Sequence, residues 1–303
     1  MSCPVTKIGC MTITERIRIT EAIESLGAAK FIGSFESGSP EWHAARAGIG
    51  GSDVGVILGK SQFKSPYTLW CEKSNLLDNS DSTIPMRLGT ALEPAIRQFF
   101  IDENKDWLSV HETGTWQSTQ TPWMKANPDG IIEWADGTLG VLEIKHSATY
   151  VTEIPESWKL QVLWYLQVLG LKRGVVCAVI GGRYSEFEVL WDETLVEEMK
   201  TRVWAFYGLV EDGTAPEFDG STSTYETVRE LSEGLTDGEL ELDNLWVDLA
   251  AAKAIYEVAE DNFNAKKSVV LAYMNGTKYG FWQGQKVVTL QARNGKPFIT
   301  FTK

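Results

Sequence analysis

Residues 127–145 constrain this chain more than any other stretch. They read Asn127-Pro128-Asp129-Gly130, an apolar pair Ile131 and Ile132, then Trp134-Ala135-Asp136-Gly137, then Val141-Leu142-Glu143-Ile144-Lys145. Asp-Gly between two apolar runs is a strong hairpin signal, so a strand is expected on each side of it. The second strand carries an oddity, because Glu143 sits among Leu139, Val141, Leu142 and Ile144. Side chains alternate across a strand, which places Glu143 and Lys145 on one face and Leu142 and Ile144 on the other. A buried carboxylate needs a cation beside it. Lys145 and a metal ion both answer that need. Asp129 opens the preceding strand, and the hairpin brings it near Glu143. Two carboxylates and an ammonium in one small space suggest Mg²⁺ held by oxygen ligands.

The rest of the chain sets limits. At 303 residues it has room for one large domain, or for one domain with an appendage. With 43% hydrophobic and 23% charged residues it reads as a soluble globular protein with a real core. No apolar run approaches a membrane span, so no membrane role is expected. Residues 1–12 lack a basic head followed by a long apolar stretch, and a cytoplasmic location is expected. Cys3, Cys10, Cys71 and Cys177 are scattered, which argues against a disulfide framework or a zinc ribbon. A net charge of −13 argues against broad non-specific affinity for nucleic acid. It leaves room for a DNA enzyme whose basic residues line one channel.

Taken in order, residues 1–40 read as an N-terminal arm, with one helix over 14–29 followed by a Gly/Ser/Pro-rich loop. In the next stretch Trp42 and Arg46 lie four apart on one helical face. The glycines after them break that helix, and Ser52 or Asp53 can cap the next one. A helix N-terminus after a Gly-rich turn binds anions, so Arg46 and Ser52 are a candidate phosphate pocket. A plain helix–turn–helix with an ordinary cap is the alternative. A short helix follows, opened by Ser65-Pro66 and running to about Lys73. Residues 87–102 form a strong helix, with Leu88, Leu92, Ile96, Phe99 and Phe100 at helical spacing. Its Glu93 is either an ion-pair partner of Arg97 or a metal ligand.

Three strands are expected next, near 110–117, 124–134 and 139–146. A helix over 157–170 places Gln161 amid apolar neighbours. Strands over 173–180 and 184–191 and a helix from 192 to about 212 complete a mixed α/β core. Residues 213–238 read as a polar linker or loop. Residues 239–275 read as one long helix with a heptad-like stripe, and 284–303 as a closing hairpin turning at Asn294-Gly295. The domain boundaries expected are therefore 1–40, 41–214 and 215–303.

These pieces add up to a resemblance. Pro128-Asp129 with Glu143-x-Lys145 resembles the PD-(D/E)XK nuclease motif. Around it, in order, stand Trp42-His43-x-x-Arg46 with Gly48-Ile49-Gly50-Gly51-Ser52-Asp53, then Leu88-Gly89 with Leu92-Glu93-Pro94, and Leu160-Gln161-Val162 with Trp164-Tyr165-Leu166. Over about residues 40–210 the chain resembles the phage alkaline exonucleases, the YqaJ-type viral recombinases to which lambda exonuclease belongs. The resemblance implies a restriction-endonuclease-like fold, a central mixed sheet flanked by helices. It implies a Mg²⁺-dependent 5′→3′ exonuclease on linear double-stranded DNA, leaving 3′ overhangs for strand annealing, with two ions and Mn²⁺ able to substitute.

Residue by residue, Asp129, Glu143, Glu93 and the Ile144 carbonyl stand where the family holds metal. Lys145 stands for the catalytic lysine and Gln161 for the glutamine that orders the site. Arg46 and Ser52 resemble the 5′-phosphate pocket, although their spacing is one residue shorter than the family's. The histidines His43, His111 and His146 form no cluster; for His43 and His146, which lie near the motifs, a structural role or one supporting the site is expected. The family also implies double-stranded DNA ends as partner, a phage single-strand annealing protein, and a homo-oligomer, a trimer in close relatives. An endonuclease or RecB-like nuclease on the same fold, and a non-catalytic DNA-binding assembly protein, are the alternatives.

Overall fold

The structure is a computed structural model that describes residues 13–36, 38–77, 83–148, 151, 153–232, 234–235 and 237–302. Its contacts divide the chain into two compact units, Met1–Glu233 and Gly234–Lys303. The first unit opens with α1 (Ile13–Glu24) and β1 (Ala29–Gly33), followed by three short helices, α2 (Pro40–Ala45), α3 (Gly51–Ile57) and α4 (Pro66–Lys73). The long α5 (Ile84–Asn104) leads into β2 (Leu108–His111), β3 (Thr115–Ser118), β4 (Lys125–Ala126), β5 (Gly130–Trp134) and β6 (Leu139–Ser147). Then come α6 (Glu156–Leu169), β7 (Arg173–Ile180), β8 (Arg183–Leu190), α7 (Glu193–Glu211) and α8 (Thr222–Leu231).

Five strands form the central sheet, in the order β2-β5-β6-β7-β8. β5 and β6 are the antiparallel hairpin that Asp136-Gly137 predicts, and Gly137 takes φ +80°, a backbone state costly for other residues. β6 and β7 run parallel, because the chain crosses over between them through α6. Helices cover both faces. Ile131, Val141 and Val176 pack with α3, α6 and α7, while Ile132, Leu142, Ile144 and Val175 pack on Ile96 and Phe100 of α5. This is the mixed sheet flanked by helices that the sequence predicts. Alternation along β6 holds: Leu142 and Ile144 face α5, and Glu143 turns to the α6 side, where it meets Gln161.

Several expectations give way. The helix expected over 14–29 ends at Glu24, because the chain turns at Gly27 (φ +76°) and continues as β1. β1 pairs antiparallel with β3, and Ile19, Ile23 and Ala29 are buried in the main core. Residues 13–33 are therefore woven into the first unit rather than standing apart as an arm. The strand expected over 110–117 is two strands in different sheets, β2 in the central one and β3 in a second sheet of order β1-β3-β4. Gly114 lies at the break, and a Cβ there would strike the Gly33 carbonyl. The strand expected over 124–134 is likewise split, into β4 and β5, by Asn127-Pro128-Asp129.

The loop expected over 213–238 contains α8. Its inward side is built from hydroxyls: Thr68 Oγ1 lies 2.8 Å from both Ser223 Oγ and Thr227 Oγ1, and Thr224 and Thr227 are buried. An apolar-periodicity rule does not register such a stripe.

In the second unit, α9 (Asp243–Met274) is one 32-residue helix. Three strands, β9 (Tyr279–Trp282), β10 (Gln285–Arg293) and β11 (Lys296–Phe301), form an antiparallel sheet. The β10–β11 turn at Asn294-Gly295 has φ of +53° and +74°, as its sequence predicts. β9 is an additional strand, joined through a second positive-φ turn at Gln283-Gly284. Among the described residues, no helix is long and apolar enough to cross a membrane.

Candidate active site

The site is built on β6 and the turn before β5. The Asp129 carboxylate accepts a hydrogen bond from the Ile144 amide at 2.6 Å, which fixes Asp129 against the middle of β6. One residue earlier on that strand, Glu143 is buried. Its Oε1 meets the Lys145 ammonium at 2.7 Å and accepts from Gln161 Nε2 at 2.6 Å. Lys145 also donates to Gln161 Oε1 at 2.9 Å, and Gln161 Nε2 reaches the Tyr165 hydroxyl at 2.9 Å. Gln161 and Tyr165 lie four apart on α6, so they share one face of that helix. The amide side chain of Gln161 is thereby locked on both its oxygen and its nitrogen. Glu143 Oε2 has no such anchor: it is buried, with no hydrogen-bond partner among the described residues.

Electrostatics mark the same spot. Burial, then Glu143 and Glu93, hold the Asp129 carboxyl well above the ordinary carboxylate range. Burial also raises Glu143, with Glu93 adding to the effect, while Lys145 and Arg46 oppose it. Burial works against the Lys145 ammonium, but Glu143, Asp129 and Glu93 outweigh it and raise its pKa, so Lys145 is a cation at neutral pH. The Tyr165 phenol is pushed well up by burial and by Glu143. A negative site short of positive charge, with one orphaned carboxylate oxygen, fits a divalent cation held by oxygens. Asp129, Glu143 and the Ile144 carbonyl would supply them. Among the described residues, no three His, Cys, Asp or Glu side chains gather tightly enough to form a complete cage alone.

Beside this cluster opens a cleft of about 350 Å³, lined by Trp42, Arg46, Glu93, Arg97, Asn127 and Asp129 among others. Glu93 pairs with Arg97 at 2.7 Å, the ion pair its sequence context allows, and it also lines the cleft near Asp129. Arg46, at the C-terminal end of α2, lies over the Trp42 ring at 4.4 Å, which aims a planar cation along the cleft wall. Ser52 is exposed in the first turn of α3 and is not part of the cleft lining. The cap of α3 also differs from expectation: Gly50 is the N-cap residue, and Asp53 reaches back to its amide at 2.9 Å. Lys73 holds Asp53 at 2.7 Å and the Gly48 carbonyl at 2.7 Å, which ties the loop down.

The glycines of that loop have a steric purpose. A Cβ on Gly51 would come within 2.5 Å of the Tyr165 ring and 3.0 Å of Gln161 Cγ. One on Gly55 would meet Ser157 Cβ at 2.9 Å. Small residues four apart on α3 thus let it lie flush on α6, directly behind the residues that hold Glu143. The sequence shows Trp42 beside Arg46 and Arg97 beside Glu93 as pairs four apart, but not that they line one cleft, and the role of Tyr165 escapes it altogether. Tyr165 passes there for one more apolar position, and only its spacing from Gln161 hints otherwise. His111 sits between Ser109 and Glu133 at 3.0 Å each.

Asp129, Glu143 and Lys145 thus meet at a hairpin of a helix-flanked mixed sheet, in the order of the PD-(D/E)XK motif. Residues 41–172 match the family described as YqaJ-like viral recombinase domain. The protein YqaJ of Bacillus subtilis (strain 168), itself uncharacterised, is 30% identical over 207 residues, which are 64% of this chain and 63% of that protein. The chain thus spans somewhat under two thirds of that relative's length. Among solved structures, an alkaline exonuclease (LHK-Exo) from Laribacter hongkongensis is similar at 21% identity and TM-score 0.48, covering 63% of this chain and 97% of that one. A phage-related exonuclease from Haemophilus somnus 129PT is similar at 11% identity and TM-score 0.41, with coverage of 61% and 96%.

Proposed function

We propose that this chain is a metal-dependent deoxyribonuclease, a 5′→3′ exonuclease that degrades one strand of linear double-stranded DNA and leaves 3′ overhangs for strand annealing. The observation that carries the reading is Glu143, with one oxygen locked by Lys145 and Gln161 and the other buried without a partner beside Asp129. Mg²⁺, replaceable by Mn²⁺ and present as two ions, would supply Lewis-acid charge and an activated water when held by Asp129, Glu143 and the Ile144 carbonyl, with Glu93, now paired with Arg97, joining them only after a shift on binding.

The residues of the chain do the rest. Lys145, positioned by Glu143 and Gln161, sets a cation where charge grows on the phosphoryl oxygens and orients the attacking water. Gln161 keeps Lys145 and Glu143 in register, and Tyr165 keeps Gln161 in place. Arg46, stacked on Trp42, binds the phosphate at the 5′ end, and that end-binding gives direction. Ser52 would join it only through contacts made when DNA is bound. The partners proposed are double-stranded DNA ends and a phage single-strand annealing protein that receives the 3′ overhang.

The test is digestion of linear DNA with Mg²⁺, comparing 5′-phosphate with 5′-hydroxyl ends, a closed circle, and the variants Lys145→Ala and Arg46→Ala. Loss of phosphorylated linear DNA with a surviving 3′ strand is expected, with Lys145→Ala inactive and Arg46→Ala blind to the phosphate. Cutting of the circle would replace the exonuclease with an endonuclease on the same core. Absence of cleavage with either metal would remove the enzymatic reading altogether.

A further inference from the structure

The second unit carries a helix that a single copy leaves bare. Along α9, positions 245, 249, 252, 256, 259, 263, 266, 270 and 273 alternate steps of four and three, the 3.5-residue period of a coiled-coil seam. They hold Leu245, Leu249, Ala252, Tyr256, Ala259, Phe263, Lys266, Val270 and Tyr273. Leu245, Leu249, Tyr256 and Phe263 are each at least half exposed, and Ala252 and Ala259 are exposed too. The chain's own small sheet touches the helix toward its C-terminal end: Phe301 stacks on Phe263, and Met274 packs with Val288 and Leu290. An apolar seam of this length left in water is the mark of a binding surface.

The order of side chains says what fits it. In a parallel pair each seam residue meets its own counterpart. That would set Lys266 against Lys266, crowd Tyr256 on Tyr256, and leave a gap between two copies of Ala252. In an antiparallel pair at the register of nearly full overlap, the layers are complementary. Tyr256 meets Ala259 of the second copy, Phe263 meets its Ala252, and Leu245 meets its Val270. Lys266 meets Leu249, against which its stem can lie while its ammonium reaches water. The same register brings Lys253 beside Glu260 of the second copy, twice by symmetry. Within one copy, among the described residues, Lys253 pairs with Glu257 at 3.3 Å, both side chains exposed.

We propose that two copies of this chain associate through α9 as an antiparallel coiled coil, the aromatic of each layer seating on an alanine of the other copy. This interface is independent of the nuclease reading and stands or falls without it.

The experiment is sedimentation velocity on the full chain across a concentration series, with circular dichroism to confirm helix content in each variant. Concentration-dependent dimers are expected, with Leu249→Glu/Tyr256→Glu monomeric or weakened by at least about 100-fold. Glu260→Lys alone should weaken association by about 3- to 10-fold, and adding Lys253→Glu should restore most of it. Spin labels fix the direction, on Glu257→Cys or Ser268→Cys in a chain whose Cys3 and Cys10 are serine. Glu257 lies level with Val258 of the second copy, so its labels should be close. Ser268 lies level with Val247, so its labels should sit about 32 Å apart along the axis. A monomer at every concentration overturns the proposal, even if another protein binds the helix. So does an oligomer whose mass the Leu249→Glu/Tyr256→Glu variant leaves unchanged, or close label pairs at both sites.

Discussion

Replacing Gln161 by leucine tests the heart of the site. Gln161 is buried and makes three polar contacts, to Glu143 Oε1 at 2.6 Å, Lys145 Nζ at 2.9 Å and Tyr165 at 2.9 Å. Leucine is close in volume, so neither a cavity nor a clash dominates. The loss is polar. Two of the three contacts involve charged groups, and each such hydrogen bond is worth about 1.5–3 kcal/mol. The Lys145–Glu143 pair survives, and leucine gains some apolar burial, so the contributions do not simply add. A net loss of about 2–4 kcal/mol is expected, most of it because Tyr165 and Glu143 each lose a partner in a dry setting. At a slope of about 2–3 kcal/mol/M, the urea midpoint of the first unit should fall by about 0.7–2 M. Catalysis should fall further than stability explains, by about 100-fold under conditions where the variant is folded, because Lys145 is no longer aimed. Urea titration by tryptophan fluorescence, paired with digestion rates below the transition, reads both effects. An unshifted midpoint, or a rate within twofold of wild type, would refute the idea that Gln161 organises Glu143 and Lys145.

Three further outcomes follow from the geometry. Gly51→Ala should cost about 1–3 kcal/mol by overpacking Tyr165 and Gln161, and should slow cleavage through the same contacts, with thermal melts and rates as the check. The metal-free protein should lose stability as pH rises. Asp129 and Glu143 bind protons more tightly folded than unfolded, so their contribution is fullest below about pH 4 and is lost as pH climbs through their raised values. The melting temperature in EDTA should therefore fall with pH relative to Asp129→Asn, and Mg²⁺ should remove the difference; parallel curves would sink the argument. Thr68→Val cuts the hydroxyl network that docks α8 and should cost about 1–3 kcal/mol. A local rise in hydrogen exchange over residues 222–231 checks it, and unchanged protection there would mean that packing rather than hydroxyl bonding holds α8.

Much of this molecule is written locally. Asp136-Gly137 and Asn294-Gly295 determine their turns, because few residue types accept a positive φ there. Alternation along 139–147 determines that Glu143 and Lys145 leave the α5 face, and the 3.6-residue period of 84–104 and 156–169 determines two helices. The 3.5-residue stripe of α9 is equally local. What the sequence left open was decided by contacts between distant segments. Strand β1 exists because β3 offers it an edge, so helix propensity past Glu24 yields to pairing. The breaks at Gly114 and at 127–129 follow from a chain passing between two sheets, which periodicity within one strand cannot express. Helix α8 is held by hydroxyls that read as loop until Thr68 is placed beside them. The site divides the same way. The presence of a cation beside Glu143 is implied by a charge in an apolar strand, but that Gln161 and Tyr165 grip it, and that Gly51 must be small behind them, depends on α3 and α6 meeting. Local sequence sets backbone preferences and which face a side chain takes; only tertiary packing decides which face meets which, and so which buried oxygen is left without a partner.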